Sequence, residues 1–195
     1  MNRKVPTGTA ESELRELGSR FFAFVAPAAD LAAAEAFVES LRRRYPDATH
    51  HCFAWRVGEP PAERSADDGE PGGTAGPPML QALRAAGLSD VVAVVVRWFG
   101  GTKLGKGGLV RAYGGAVRAA LERLPVATVR HRVRLVVELP FERIGAVRRL
   151  VRAPEIELAA ERWGERVELE LAVVEERRAE LLDALAALGL AARAL

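Results

Sequence analysis

Between Arg97 and Gly115 the chain reads Arg-Trp-Phe-Gly-Gly-Thr-Lys-Leu-Gly-Lys-Gly-Gly-Leu-Val-Arg-Ala-Tyr-Gly-Gly. Here residue types and spacing point most directly to chemistry. Gly100, Gly101, Gly107 and Gly108 admit positive φ and the close approach of another molecule. Lys103, Lys106 and Arg111 stand among them, at or near the start of a helical pattern, with Arg97 before and Arg118 after. A helix N-terminus presents unpaired N–H groups and the positive end of its dipole, so the natural guest is a phosphate or another anion. The run contains neither Gly-x-x-x-x-Gly-Lys-Ser/Thr nor a Gly-x-Gly-x-x-Gly in a βα setting, which leaves a basic anion-binding turn rather than a nucleotide motif.

A second segment, Glu63-Arg64-Ser65-Ala66-Asp67-Asp68-Gly69-Glu70-Pro71-Gly72-Gly73-Thr74-Ala75-Gly76, carries the opposite charge. Residues 97–123 hold six bases and one acid, Glu122, whereas residues 59–70 hold five acids and one base, Arg64. Two such loops either neutralise each other or form a site with a cationic and an acidic wall. In the second case His50, Arg64, Asp67, Asp68, Glu70 and Thr74 supply the second wall. Carboxylates this close in a glycine-containing loop can converge on a hard cation or act as acid and base, yet Asp is also common in turns for conformational reasons alone. The weightier expectation is structural: these carboxylates pair with Arg97 or Lys103 and hold the glycine loop in shape.

His50, His51 and Cys52 do not make a zinc site. Successive strand residues point to opposite faces, so only His50 and Cys52 can share one, and no second ligand pair is near. Cys52 and Ser65 are the nucleophile candidates, and neither lies in a Gly-x-Ser-x-Gly elbow or a cysteine-enzyme signature. No metal and no cofactor are expected. Arg97, Lys103, Lys106, Arg111 and Arg118, interleaved with Trp98, Phe99 and Tyr113, suit an RNA surface: the cations neutralise phosphates and an exposed ring stacks on an unpaired base. Tyr113, however, falls on the apolar face of its helix.

These groups must be positioned by ordered elements. Val91–Val96 is an uninterrupted apolar strand and therefore central. Glu11–Leu17 and Arg20–Val25 read as a hairpin, and Leu31–Arg44 as a helix capped by Asp30. A strand follows with His51, Phe53, Trp55 and Val57 on one face, then an acidic loop over 58–73. A helix from about Pro77 stops at Gly87, and another runs from Gly107 to Leu124. Residues 1–9 read as a disordered tail, 10–124 as one domain, 125–129 as a linker, and 130–195 as a second domain of pattern βαββαβ, which is ferredoxin-like.

Composition narrows the class further. The chain has 195 residues, a net charge of +2, 49% hydrophobic and 28% charged residues, which is ordinary for a globular protein. No apolar stretch is long enough for a membrane span, the amino end lacks a signal-peptide core, and a lone Cys52 makes no internal disulfide. The expectation is a cytoplasmic protein without a membrane partner.

The Ser-x-Asp-Asp-Gly-Glu-Pro-x-Gly-Thr-Ala-Gly run at 65–76 and the Phe-Gly-Gly-x-Lys-Leu-Gly-x-Gly-Gly-Leu-x-Arg-Ala-Tyr run at 99–113, preceded by Thr49–Ala54, resemble the IMPACT family, including its YigZ-type bacterial members. The resemblance covers about Ser19 to Leu124, with Trp98 where many relatives carry Tyr. It implies an α+β protein of two domains, the first like domain IV of elongation factor G and the second ferredoxin-like. Eukaryotic relatives regulate translation by competing for an activator of an initiation-factor kinase, using an additional amino-terminal domain. This chain begins almost directly at the shared segment, so the general link to translation carries over rather than the kinase-linked role. The resulting expectation is a non-enzymatic translation-associated regulator that contacts RNA, the ribosome or a translation-factor partner. The alternative is an enzyme acting on a phosphorylated or nucleotide-type small molecule through Asp67, Asp68 or Glu70 with Lys103 and Arg111.

Overall fold

In the computed structural model, which describes residues 2–195, the chain divides into two units, 3–129 and 130–195 with Asn2. The first contains β1 (Arg3–Pro6), β2 (Ala10–Glu16), β3 (Ser19–Pro27), α1 (Leu31–Arg44), β4 (His50–Val57), β5 (Ala62–Ala66), α2 (Gly76–Ala85), β6 (Val91–Trp98), α3 (Gly105–Leu121) and β7 (Val126–Val129). The second contains β8 (Arg132–Leu139), α4 (Ile144–Leu150), β9 (Ile156–Trp163), β10 (Val167–Val174), α5 (Arg178–Ala187) and β11 (Ala192–Ala194).

The first unit is built around an antiparallel sheet of order β2-β3-β6-β4-β5. β6 sits in its middle because both of its faces are apolar. Val92, Val94 and Val96 pack with Phe24, Phe53 and Trp55 against Ala34, Val38 and Leu41 of α1. Val91, Ala93 and Val95 pack with Phe21, Ala23 and Cys52 against Met79, Leu83, Tyr113 and Val117 of α2 and α3. The predicted alternation of β4 holds, with Phe53, Trp55 and Val57 on the α1 side and Cys52 and Ala54 on the other. Asp30 caps α1 by accepting the Ala33 N–H at 2.7 Å.

Three expectations need correction. Residues 3–6 of the supposed disordered tail form β1, paired antiparallel with β7, which occupies most of the supposed linker at 125–129. Arg3 is held by ion pairs to Asp90 (2.8 Å) and Glu59 (3.2 Å), and the Lys4 carbonyl accepts the Ser89 N–H at 2.9 Å. Met1 lies outside the described residues. The acidic stretch is not loop throughout, since Ala62–Ala66 adds β5 to the sheet edge. Finally, α3 begins at Gly105 rather than Gly107, which places Lys106 in its first turn.

The second unit is a four-stranded antiparallel sheet of order β11-β8-β10-β9, the ferredoxin-like arrangement of βαββαβ. Leu135, Val137 and Leu139 of β8 and Val167, Leu169 and Leu171 of β10 pack against Val147 of α4 and Leu181 and Leu185 of α5. The alternate positions carry ion pairs, among them Arg134–Glu170 at 2.7 Å and Arg162–Glu168 at 2.6 Å.

Candidate nucleic-acid interface

The alternation of β6 puts Arg97 on the same side as Val95 and Ala93, facing α3. A guanidinium that is only 4% exposed requires an anion, and the acidic loop delivers one. Glu70, 8% exposed, accepts a hydrogen bond from Arg97 Nη1 through Oε1, and the same oxygen accepts from the Tyr113 hydroxyl at 2.6 Å. Arg97 Nη2 donates to Ser19 Oγ at 3.1 Å. Its guanidinium carbon lies 5.0 Å from the Phe21 ring and 5.5 Å from the Phe99 ring, distances at which cation–π attraction contributes. Burial, with Cys52 and Glu70 beside it, pushes the Tyr113 phenol far above its ordinary range, so it remains a donor.

His50 joins this cluster from the start of β4. Its Nδ1 is 2.8 Å from the Asp68 carbonyl oxygen and its Nε2 is 3.8 Å from Glu70 Oε1. An acceptor at Nδ1 means that Nδ1 carries a proton. His51 points the other way, onto the Tyr45 carbonyl at 3.0 Å. Burial first, and then Arg42 nearby, lowers its pKa. The Cys52 thiol is buried and donates to the Asp67 carbonyl at 3.0 Å, and burial raises its pKa well above the ordinary thiol range, which disfavours the thiolate.

Asp67 and Asp68 do structural work. Asp67 accepts the N–H groups of Gly73 (2.8 Å), Ala75 (2.9 Å) and Gly76 (2.9 Å), and so caps α2 from outside the helix. Burial opposes ionisation of its carboxyl, but the three donors outweigh burial and hold the pKa below the usual value. Asp68 accepts from Arg42 Nη2 at 2.7 Å and from the His51 N–H at 2.7 Å. Burial again acts upward, and Arg42 with His51 lowers the pKa overall. Of the three acids expected to pair with Arg97 or Lys103, only Glu70 does so. Among the described residues, no three His, Cys, Asp or Glu side chains gather into a metal-holding group.

The two charged loops meet in a cleft of about 360 Å³ lined by Glu70, Pro71, Arg97, Phe99, Lys103, Leu104, Gly105, Lys106 and Leu109. Its rim is the first turn of α3. Neither this helix nor α2 has an acid in its first turn, but α2 receives Asp67 from outside whereas no side-chain cap is found at the start of α3. Lys103 and Lys106 are exposed, and no ion pair to either is found among the described residues. Phe99 is 46% exposed and lies over Arg97, with its N–H on Thr49 Oγ1 at 3.1 Å. Trp98 turns away, donating Nε1–H to Asp47 at 2.8 Å. Thus Phe99 is the aromatic ring available beside the lysines.

The other expected site residues are distributed differently. Gly100 serves packing: a Cβ there would lie 1.9 Å from the Gly18 carbonyl carbon. Gly101, at φ +88°, turns the chain toward the lysines. Arg111 and Gly108 border a separate hollow with Leu14, Glu16 and Leu17, and the Arg111 guanidinium covers Gly107. Arg118 is twelve residues beyond Lys106 on the same helix, about 18 Å along its axis, and does not reach the cleft. Arg64 does not belong to the site, because it packs over Trp55 at 5.4 Å on the α1 face. Thr74 is equally remote in role, its hydroxyl closing a turn onto the Pro71 carbonyl at 2.6 Å. Ser19 and Arg42 were missed. Their partners are 78 and 26 residues away in sequence, and no local pattern announces such contacts.

A sheet packed by helices on both faces, joined to a ferredoxin-like unit and bearing a cationic glycine turn beside a buried Glu–Arg–Tyr cluster, defines a class of two-domain α+β proteins. Residues 17–121 match the Impact N-terminal domain, and the chain belongs to the IMPACT family. It is 52% identical to the IMPACT family member YigZ of Escherichia coli over 109 residues, 54% of this chain and 53% of that protein, so the match spans about half of that relative's length. It is 49% identical to the IMPACT family member in the pol 5′ region of Thermus thermophilus, over 71% of this chain and 75% of that one. A crystal structure of a hypothetical protein superposes with a TM-score of 0.68 at 34% identity, covering 100% of this chain and 97% of the other. Among the described residues no helix is long and apolar enough to cross a membrane.

Proposed function

We propose that this chain is a translation-associated regulator of the cytoplasm that binds RNA or the ribosome through the glycine turn and the first turn of α3. Membership of the IMPACT family supplies the translational setting. One observation carries the RNA reading: Lys103, Lys106, the uncapped N-terminus of α3 and exposed Phe99 border a single cleft. Ammonium groups and free amides neutralise phosphates, and the ring stacks on an unpaired base.

The enzymatic alternative requires a carboxylate free to exchange protons. Asp67 and Asp68 are held ionised by multiple donors, and Glu70 is committed to Arg97 and Tyr113. That arrangement supports binding over turnover. The test is fluorescence anisotropy with a labelled single-stranded oligoribonucleotide, together with co-sedimentation with ribosomal subunits. Phe99→Ala is expected to weaken oligoribonucleotide binding roughly 5- to 100-fold, the worth of one base–aromatic stack. Absence of binding to both RNA and ribosomes by the parent protein would refute the proposal.

A further inference from the structure

β9 is an outer strand of the second sheet, and among the described residues no strand pairs with its free side. An edge of eight residues, with N–H and C=O groups unpaired, is a template for another strand. Its residue pattern specifies which one. Against β10, Leu158 lies opposite Leu171 and Ala160 opposite Glu170, so Ala159 is an extra, bulged residue. The bulge resets the alternation. Ile156, Leu158, Glu161 and Trp163 fall opposite Val173, Leu171, Leu169 and Val167, on the side of α4 and α5. Glu157 and Arg162 fall opposite Ala172 and Glu168, on the other face.

Turned end for end, this strand matches itself. An antiparallel copy centred on Ala159 and Ala160 sets Glu157 against Arg162 of the second copy, and Ile156 against Trp163 of the second copy, each twice. Leu158 meets Glu161, whose carboxylate is already held by Arg148 at 2.9 Å. Charges that only guard an edge meet their like when two edges approach. Here the mirrored positions carry opposite signs, which favours the pairing.

Shape follows the same symmetry. At one end of β9, Trp163 is 58% exposed and Phe141 is 49% exposed, with ring centroids 6.1 Å apart. Near the other end, Leu150, Ala153, Ile156, Leu181 and Ala184 line a hollow of about 240 Å³. Antiparallel pairing brings each projecting indole to the hollow of the other copy. Arg149, also on that lining, has no ion pair among the described residues and offers its guanidinium to an aromatic face. We propose that the chain forms a two-fold homodimer through β9, joining the two four-stranded sheets edge to edge and seating Trp163 of each copy in the hollow of the other.

The test is sedimentation equilibrium on the full chain from about 1 μM to about 0.5 mM, a range that captures moderate and weak association. The mass is expected to rise from 21.0 kDa toward twice that value. Trp163→Ser should weaken association about thirtyfold or more, the effect of losing a buried aromatic anchor. Charge reversal fixes the register. Glu157→Arg and Arg162→Glu, each placing like charges opposite one another, should weaken the dimer roughly tenfold. Glu157→Arg/Arg162→Glu should return it to within about threefold of the parent. Both side chains are largely exposed, so the fold should survive, and an unchanged circular dichroism spectrum checks this. A parent that stays monomeric throughout the range would overturn the proposal. So would a dimer unmoved by Trp163→Ser, or one weakened by the single reversals without rescue in the double variant.

Discussion

Removing the Glu70 carboxylate tests the arrangement on which the site is built. In Glu70→Ala the Arg97 guanidinium, 4% exposed, loses its counterion, and the Tyr113 hydroxyl loses its acceptor. Breaking a buried ion pair from one side costs about 3–5 kcal/mol, because the surviving charge is left unpaired in a poorly solvated place. With a urea slope of about 1.5 kcal/mol per molar, the midpoint should fall by roughly 2–3 M. Two of the three tryptophans, Trp55 and Trp98, report on this unit, so the measurement belongs in a Trp163→Phe background that silences the other. A double replacement, Glu70→Leu/Arg97→Met, should cost less than Glu70→Ala alone, since no bare charge remains. A midpoint for Glu70→Ala within about 0.5 M of the parent would show that the pair does not anchor the glycine loop.

Other outcomes follow from the same geometry. Asp67→Asn should destabilise by about 1–2 kcal/mol at pH 7, the worth of a helix cap. Because the folded carboxyl has a lowered pKa, its contribution is present above the unfolded value near 3.9 and is lost as pH falls through the folded value. Urea titrations of parent and variant should therefore converge in strong acid and diverge toward neutrality, and a pH-independent gap would contradict the capping role. Gly100→Ala should cost about 3 kcal/mol or more, since its Cβ would overlap the Gly18 backbone, which no side-chain rotation relieves. Thermal melts would check this, and a parent-like Tm would disprove the close approach.

What the sequence disclosed was chiefly periodic. The apolar run at Val91–Val96 announced a central strand, Asp30 with its helical spacing announced α1, and the βαββαβ pattern announced the second unit. Short pairings escaped. Arg3–Pro6 and Val126–Val129 have four residues each, too few to show a period, and are ordered by each other across more than a hundred residues. Within the site, the glycines and lysines announced a cationic turn, but chemistry alone could not sort the acids. Asp67, Asp68 and Glu70 look equivalent in sequence, yet one caps a helix, one grips Arg42 and one neutralises Arg97. That difference is set by contacts between distant segments. One clue was available: Arg97 directly follows a run that is apolar on both strand faces, so a cation there lies beside core whichever face it takes and needs an anion.

The account rests on Lys103 and Lys106 meeting nucleic-acid phosphates, and the salt dependence of binding measures this most directly. For single strands, log K falls with log salt at about 0.7 per phosphate neutralised. The slope for a single-stranded oligoribonucleotide should therefore become shallower by about 1.4 in Lys103→Ala/Lys106→Ala, alongside a loss of affinity. An unchanged slope with parent-like affinity would mean that the phosphates are held elsewhere.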